Sequence, residues 1–254
     1  MKKILRAAAA VLSAAVIFSL TACGGTNTDT ASDDSSAAET TATAEKPADA
    51  EILNFVPPAE GEEIAVITVK DMGEIKIKLF ADEMPKAVEN FKGLANMNYY
   101  DELIFHRVIP GFMIQGGDPR GNGTGGNSMW GGSFDGGVSD KLFHFSGAVA
   151  YANSGSTSTD GSQFYIVDTD DAEVYYGGMS SFEEMGLNLP ENVEQMYLEK
   201  GGTPHLDGSY TVFGQVFEGM DIVREIAKAE TDENDKPLKQ ISMESVRIVE
   251  YKAE

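Results

Sequence analysis

The 254-residue chain predicts a mainly β domain, a small barrel of short strands with two helices, carried behind a non-globular N-terminal region. Three observations carry that prediction. Ile64 to Val69 and Ile75 to Leu79 alternate apolar and polar residues on either side of Asp71-Met72-Gly73, the pattern of a β-hairpin buried on one face. Two segments switch to a helical period, and the remainder breaks into short β-type runs separated by glycine clusters. This local pattern is compatible with a barrel but does not count its strands.

At the N-terminus, Lys2, Lys3 and Arg6 precede an apolar run from Ala7 to Leu20, so residues 1–22 read as an export signal. The run is shorter than the roughly 20 residues a spanning helix needs. It ends at Leu20-Thr21-Ala22-Cys23, which resembles a bacterial lipobox with Cys23 as the lipidated thiol. The other reading is an ordinary secretory signal with an incidental cysteine. As Cys23 is the only cysteine, no intramolecular disulfide can form. Residues 23–60 are dominated by Gly, Thr, Ser, Ala, Asp and Glu, with almost no large apolar residue before Ile52. Such a stretch is expected to be a flexible tether, with a random-coil reach of ~30–35 Å. The chain is thus expected outside the cell, lipid-anchored at the outer face of a bacterial cytoplasmic membrane, or in the periplasm of a two-membrane cell.

The folded domain is expected over residues 61–254. Pro85 opens a helix after Asp82 and Glu83, with Val88, Phe91, Leu94 and Ala95 at helical spacing. A second helix is expected from about Met220 to Lys228, with Ile222, Val223 and Ile226 on one face. Between Val167 and Pro204 runs a long excursion, an insert spanning about residues 169–203. It starts with Asp168, Asp170 and Asp171, which lack the ligand spacing and terminal Glu of a calcium loop. It ends in a helix opened by Pro190 and closed at Gly201-Gly202, with Val193, Met196 and Tyr197 on one face. An elaborated surface loop and a partner-docking or substrate-gating element both fit it.

The formal net charge is -22. Residues 1–22 hold three cations and no acid, so their removal gives -22 - 3 = -25. That charge argues against nucleic acid or anionic lipid as a partner, and suits either solubility or an acidic binding surface.

The segment from Phe105 to Gly126, FHRVIPGFMIQGGDPRGNGTGG, sets Arg107 beside His106 and near Phe112, Met113 and Ile114, with the amide of Gln115 among them. It holds no nucleophile beside a base and no metal-ligand spacing. Its GNGTGG run formally satisfies G-x-G-x-x-G, but NSMWGGSFDGG follows and will not start a helix, so the run reads as a groove-lining loop. His106, His144 and His205 lack zinc-site spacing, and no metal site is expected.

The same segment resembles the signature of the cyclophilins, the peptidyl-prolyl cis–trans isomerases. Two later blocks are similar to the family in the same order: GAVAYANSGSTSTDGSQFYIV (Gly147 to Val167) and PHLDGSYTVFGQV (Pro204 to Val216). The resemblance implies a closed eight-stranded antiparallel barrel with a helix capping each end. It implies catalysis of X–Pro isomerisation in exported or surface polypeptides, by a monomer and without a cofactor. By resemblance Arg107 is the catalytic cation, and Phe112, Met113, Tyr165 and Leu206 hold the proline ring. Gln115 and the backbone of Asn153 would hold the peptide, with His106, Ala152, Gln163, His205 and Tyr210 around them. From periodicity alone the apolar members read as ordinary core; the three blocks favour a pocket.

Two positions depart from the family pattern. Tyr165 stands where Phe is usual, and His205 where tight binders of the cyclic peptide cyclosporin usually carry Trp, so weak cyclosporin binding is implied. Neither change removes the guanidinium. A non-catalytic peptide-binding chaperone module using the same groove is the competing reading.

Overall fold

The hairpin forms where the alternation placed it, β1 (Glu63–Val69) pairing antiparallel with β2 (Gly73–Leu79) in the register Ile67↔Ile75. Period 2 sends Ala65, Ile67, Val69, Ile75, Ile77 and Leu79 to one face, where each is buried. At the turn Asp71 adopts φ 62° and Gly73 φ 130°, the left-handed backbone that reverses the chain. The computed structural model describes residues 46–169 and 181–253. The export segment, Cys23, most of the expected tether and the first part of the excursion lie outside these residues.

Helix α1 (Pro85–Asn96) starts on its proline and buries Ala87, Val88, Phe91, Leu94 and Ala95. Phe91 centres an aromatic core, with ring centroids 5.1 Å from Tyr100, 5.5 Å from Phe164 and 5.2 Å from Phe213. Five further strands precede the last helix: β3 (Arg107–Ile109), β4 (Met113–Gly116), β5 (Ala148–Tyr151), β6 (Phe164–Val167) and β7 (Val212–Glu218). The helix Met220–Ala227 and the strand β8 (Met243–Glu250) close the chain, the helix ending one residue before the expected Lys228.

The eight strands form one sheet in the order β3-β4-β6-β5-β7-β2-β1-β8, with antiparallel neighbours throughout. The closed barrel expected above is corrected here: β3 and β8 share no ladder, and the sheet is a curled half-barrel. Its seam is held by a single bridge, Ile104↔Ser242, and by backbone bonds such as Met243 N–H to Leu103 O at 2.8 Å and Phe105 N–H to Ile241 O at 3.0 Å. The chain meets the start of β8 just before β3 begins, at residues 102–105, so the contact is a bridge and not a ladder of β3 itself.

The described part of the excursion contains a third helix, α2 (Glu191–Lys200), entered through Pro190 and ended at Gly201 with φ 74°. We number the final helix, Met220–Ala227, α3. Val193 and Tyr197 of α2 are fully buried against Phe143, Phe145 and Phe182, a second small core separate from the main one. One face of α2 is thus packed on the domain, while residues 183–190 before it are half-buried or exposed.

The expected tether is also shorter than the composition suggested. Ala50 and Ile52 pack on the second core. Asn54 is buried, donating to Phe143 O at 2.9 Å and Gln215 Oε1 at 3.0 Å and accepting from Phe143 N–H at 3.1 Å. Asn192 of α2 exchanges two bonds with the backbone of Ala50. Among the described residues, packing on the domain thus begins by Ala50, before residue 61.

Candidate active site

Antiparallel register builds the site. Arg107 lies opposite Gln115, Gln115 opposite Tyr165 and Tyr165 opposite Ala150, a row crossing β3, β4, β6 and β5. Directly paired residues project from the same face, and Met113, two residues from Gln115, joins them. The other face sends Val108, Ile114, Phe164 and Ile166 into the main core, which fixes the strands beneath the row.

A cavity of about 160 Å³ opens on this row. Nine of the twelve residues singled out from the sequence line it: Arg107, Phe112, Met113, Gln115, Ala152, Asn153, Tyr165, Leu206 and Tyr210. It is smaller than the ~300–1,000 Å³ of pockets for drug-sized ligands, and suits one side chain. A larger cavity, about 990 Å³ between α3 and the Leu238–Ser242 segment, shares no residue with it and is walled by charges of both signs, including Lys70, Arg224, Glu225 and Lys228. Size does not select the site; the convergence of an apolar floor with one cation does.

The other three residues stand around the cavity. Gln163 accepts from Gln115 Nε2 at 2.9 Å and donates to Gly125 O at 2.7 Å, lining an adjoining groove of about 500 Å³ that shares Gln115, Ala152 and Asn153 with the cavity. An amide nitrogen has two donors, so Gln115 keeps one for a ligand. The imidazole of His205 stacks on Phe112 with centroids 6.0 Å apart. His106 lies outside the cavity, buried beneath the Gly121–Gly126 loop, and burial pushes its imidazole below the ordinary value against the pull of Asp118.

Arg107 is held through Nε, 3.3 Å from Asp235 Oδ2. Asp235 is placed in turn by its own carbonyl, which accepts Val108 N–H at 2.8 Å. The Tyr165 hydroxyl is buried and has no hydrogen-bond partner among the described residues, so it sits inside the wall and adds no polar group to the cavity surface. Burial, with the charges of nearby Tyr210, Asp207 and Asp160, raises its pKa well above the usual phenol value. The Asn153 side chain accepts from Gly155 N–H at 3.0 Å and donates to Ser209 O at 3.3 Å.

Several residues that shape the site escaped the sequence reading. The carboxylate of Asp118 accepts the N–H groups of Arg120 (2.8 Å), Asn122 (3.0 Å) and Gly123 (2.6 Å), folding the GNGTGG run into the groove wall. Burial opposes its ionisation, but these bonds and that of Gly125 hold its pKa below the usual carboxylate range. An Asp three residues before a glycine cluster is the turn signal that could have found it. His144 and Asp235 carry no comparable local signal, and Asp207-Gly208 marks a turn without marking its partners. Among the described residues, no three of His, Cys, Asp and Glu gather as a metal site would require.

The sequence profile described as "Cyclophilin type peptidyl-prolyl cis-trans isomerase/CLD" matches residues 64–248, most of the chain. The chain belongs to the cyclophilin family of peptidyl-prolyl isomerases. An inferred peptidyl-prolyl cis-trans isomerase of Staphylococcus saprophyticus is 43% identical to this cyclophilin over 190 residues, covering 75% of this chain and 94% of that one. An inferred bifunctional phosphatase/peptidyl-prolyl cis-trans isomerase of Streptococcus pyogenes is 43% identical over 185 residues, 72% of this chain and 38% of that protein. The crystal structure of a cyclophilin-type isomerase from Cryptosporidium parvum superposes with a TM-score of 0.59 at 29% identity, covering 75% of this cyclophilin and 99% of that chain. A second structure of it, in the presence of the dipeptide Ala-Pro, gives a TM-score of 0.58 at 29% identity, covering 74% and 99%.

Proposed function

We propose that this cyclophilin isomerises X–Pro bonds in exported or surface polypeptides, with the proline ring in the 160 Å³ cavity and Arg107 acting on the twisted imide. Rotation about a peptide bond faces a barrier of ~18–20 kcal/mol because resonance is lost. Uncatalysed X–Pro exchange takes tens to hundreds of seconds, slow enough to limit folding. In the twisted state the prolyl nitrogen pyramidalises and regains a lone pair. A guanidinium aimed at that nitrogen stabilises the twisted state more than either planar form, which lowers the barrier.

The observation that carries this reading is Arg107 on the cavity rim, held through Nε by Asp235 beside Phe112, Met113, Tyr165 and Leu206. Gln115 and the Asn153 backbone border both cavity and groove, which supports a peptide chain running from one into the other. No nucleophile is required. A proline tetrapeptide series with varied residues before proline tests the reading on the full chain. Accelerated exchange without metal or nucleotide is expected; peptide binding without acceleration favours the chaperone-module reading.

We assign the lipid anchor to Cys23, supported by the Leu20-Thr21-Ala22-Cys23 sequence behind its charged and apolar segments. A diacylated Cys23 holds well at ~0.8 kcal/mol per buried CH₂. Cys23→Ser is expected to release the protein from membranes or leave the precursor unprocessed; undiminished membrane partitioning refutes the assignment.

A further inference from the structure

The inserted helix is wired to the pocket wall through one carboxylate. The Tyr197 hydroxyl donates to Asp207 Oδ2 at 2.6 Å. The other oxygen, Oδ1, takes both the ring Nδ1 of His144 at 2.8 Å and the His144 backbone N–H at 2.9 Å. Burial keeps the Tyr197 phenol protonated, so it remains a donor. Asp207 directly follows the 3₁₀ turn Pro204–Leu206, which carries Leu206 and His205. His144 lies flat behind the cavity floor, its ring 6.1 Å from that of Tyr165 and inclined by 14°.

The carboxylate therefore joins three things: the insert, the turn bearing one pocket wall and the ring backing the other. The junction is tight. Thr203 N–H bonds His144 O at 2.8 Å, and Ser146 N–H bonds Gly201 O at 3.1 Å. Gly202, at φ 146°, has no room for a Cβ, which would strike the His144 carbonyl oxygen and the Tyr197 ring. The turn closes through Leu206 N–H to Thr203 O and Asp207 N–H to Pro204 O, and Asp207 ends it. The depth of Leu206 in the cavity follows from where Asp207 anchors the end of this turn. A close-packed apolar contact weakens with displacements below 1 Å, so a tie that fixes the turn also fixes ligand affinity.

We propose that Tyr197 is a positioning residue of the proline pocket, setting its affinity through Asp207, the Pro204–Leu206 turn and the His144 ring. The inference rests on the reading of the cavity as the proline site. It makes the insert a determinant of substrate binding, with Arg107 left to the chemical step.

Tyr197→Phe tests it in the full chain. The variant keeps the ring that packs 4.4 Å from Phe145 and removes only the donor. KM for a proline tetrapeptide, and the Kd measured separately by calorimetry, are expected to rise about three- to tenfold, with kcat within about twofold. Asp207→Asn is expected to raise both in the same way, and the double variant to be no worse than Asp207→Asn alone, because the two substitutions break one link. Unchanged KM and Kd in folded Tyr197→Phe, with only a lowered melting temperature, overturn the proposal and leave Tyr197 a strut. Should Tyr197→Phe not fold, unchanged Kd in Asp207→Asn overturns it equally. Arg107→Ala separates the two readings. Full turnover in Arg107→Ala defeats the catalytic assignment, yet a weakened Kd in Tyr197→Phe still supports the positioning role.

Discussion

Arg107 Nε stands 3.3 Å from Asp235 Oδ2, across 128 positions of sequence. The contact uses the one guanidinium nitrogen that lies along the side chain and leaves both terminal nitrogens for a ligand. Both side chains are more than 40% exposed, so the pair contributes little to stability, ~0–1 kcal/mol, and its value lies in aim.

Asp235→Asn is the matching test, because Asn tolerates the left-handed backbone at φ 61°. We expect kcat/KM to fall about three- to tenfold with the melting temperature nearly unchanged. Arg107→Ala should lower turnover about 10- to 150-fold, the equivalent of a charge-assisted bond of about 1.5–3 kcal/mol, with a smaller effect on peptide affinity. Equal losses in binding and turnover for Arg107→Ala would show that the guanidinium acts on the ground state.

The excursion lies outside the three matching blocks, yet its helix packs into the second core. Removing residues 190–200 strips Val193 and Tyr197 from the second core and exposes Phe143 and Phe145. Burial of two such side chains contributes about 3–6 kcal/mol, a large share of a total of about 5–15 kcal/mol. A fall in melting temperature of roughly 10–20 °C, or loss of soluble protein, is expected. A deletion variant that melts with the parent would show that the second core carries no stability.

Asp160 gives a pH signature. It is buried between the site loops, accepts from Thr211 Oγ1 at 2.6 Å through Oδ2, and has no partner for Oδ1 among the described residues. Burial raises its pKa from 3.8 to about 6. The folded state therefore holds this proton where the unfolded chain releases it. The resulting stabilisation is complete below about pH 4 and is lost as pH rises through about 6, a change on the order of 2–3 kcal/mol. Carboxylates held low, such as Asp101 paired with Arg247, slope the opposite way but are common to parent and variant. The stability difference between Asp160→Asn and the parent should grow in favour of the variant from pH 4 to 6.5 and then level. A flat difference means that Asp160 is ionised throughout.

His205 bears on cyclosporin. A tryptophan there would offer an indole N–H and a larger ring, where neutral imidazole offers one donor on a smaller, better-hydrated ring. A lost neutral hydrogen bond of about 0.5–1.5 kcal/mol, with about 1 kcal/mol of lost ring burial, corresponds to affinity about 10- to 100-fold weaker. His205→Trp should recover much of that while leaving tetrapeptide turnover little changed. Titration of cyclosporin against both forms decides it: equal affinity assigns ligand preference to Tyr165 or the insert.

Read alone, the sequence determined the β1–β2 hairpin, α1, α2 and α3, because periods of 2 and 3.6 are written into neighbouring residues and answer to local geometry. Its three blocks also brought together most of the cavity wall, from Arg107 to Tyr210. The tertiary structure decided the rest. The sheet stays open between β3 and β8, where residues 102–105 meet 241–243 through a bridge and a few backbone bonds that no alternation pattern marks. Ala50, Ile52 and Asn54 look like tether because three or four residues have no period, and only the presence of Phe143, α2 and Gln215 makes them core. The residues that aim the site, Asp235 for Arg107 and Asp207 for His144, act across 128 and 63 positions of chain. Pairings of that span follow from how the sheet curls and which loops it brings together, so they exist only once the molecule has folded.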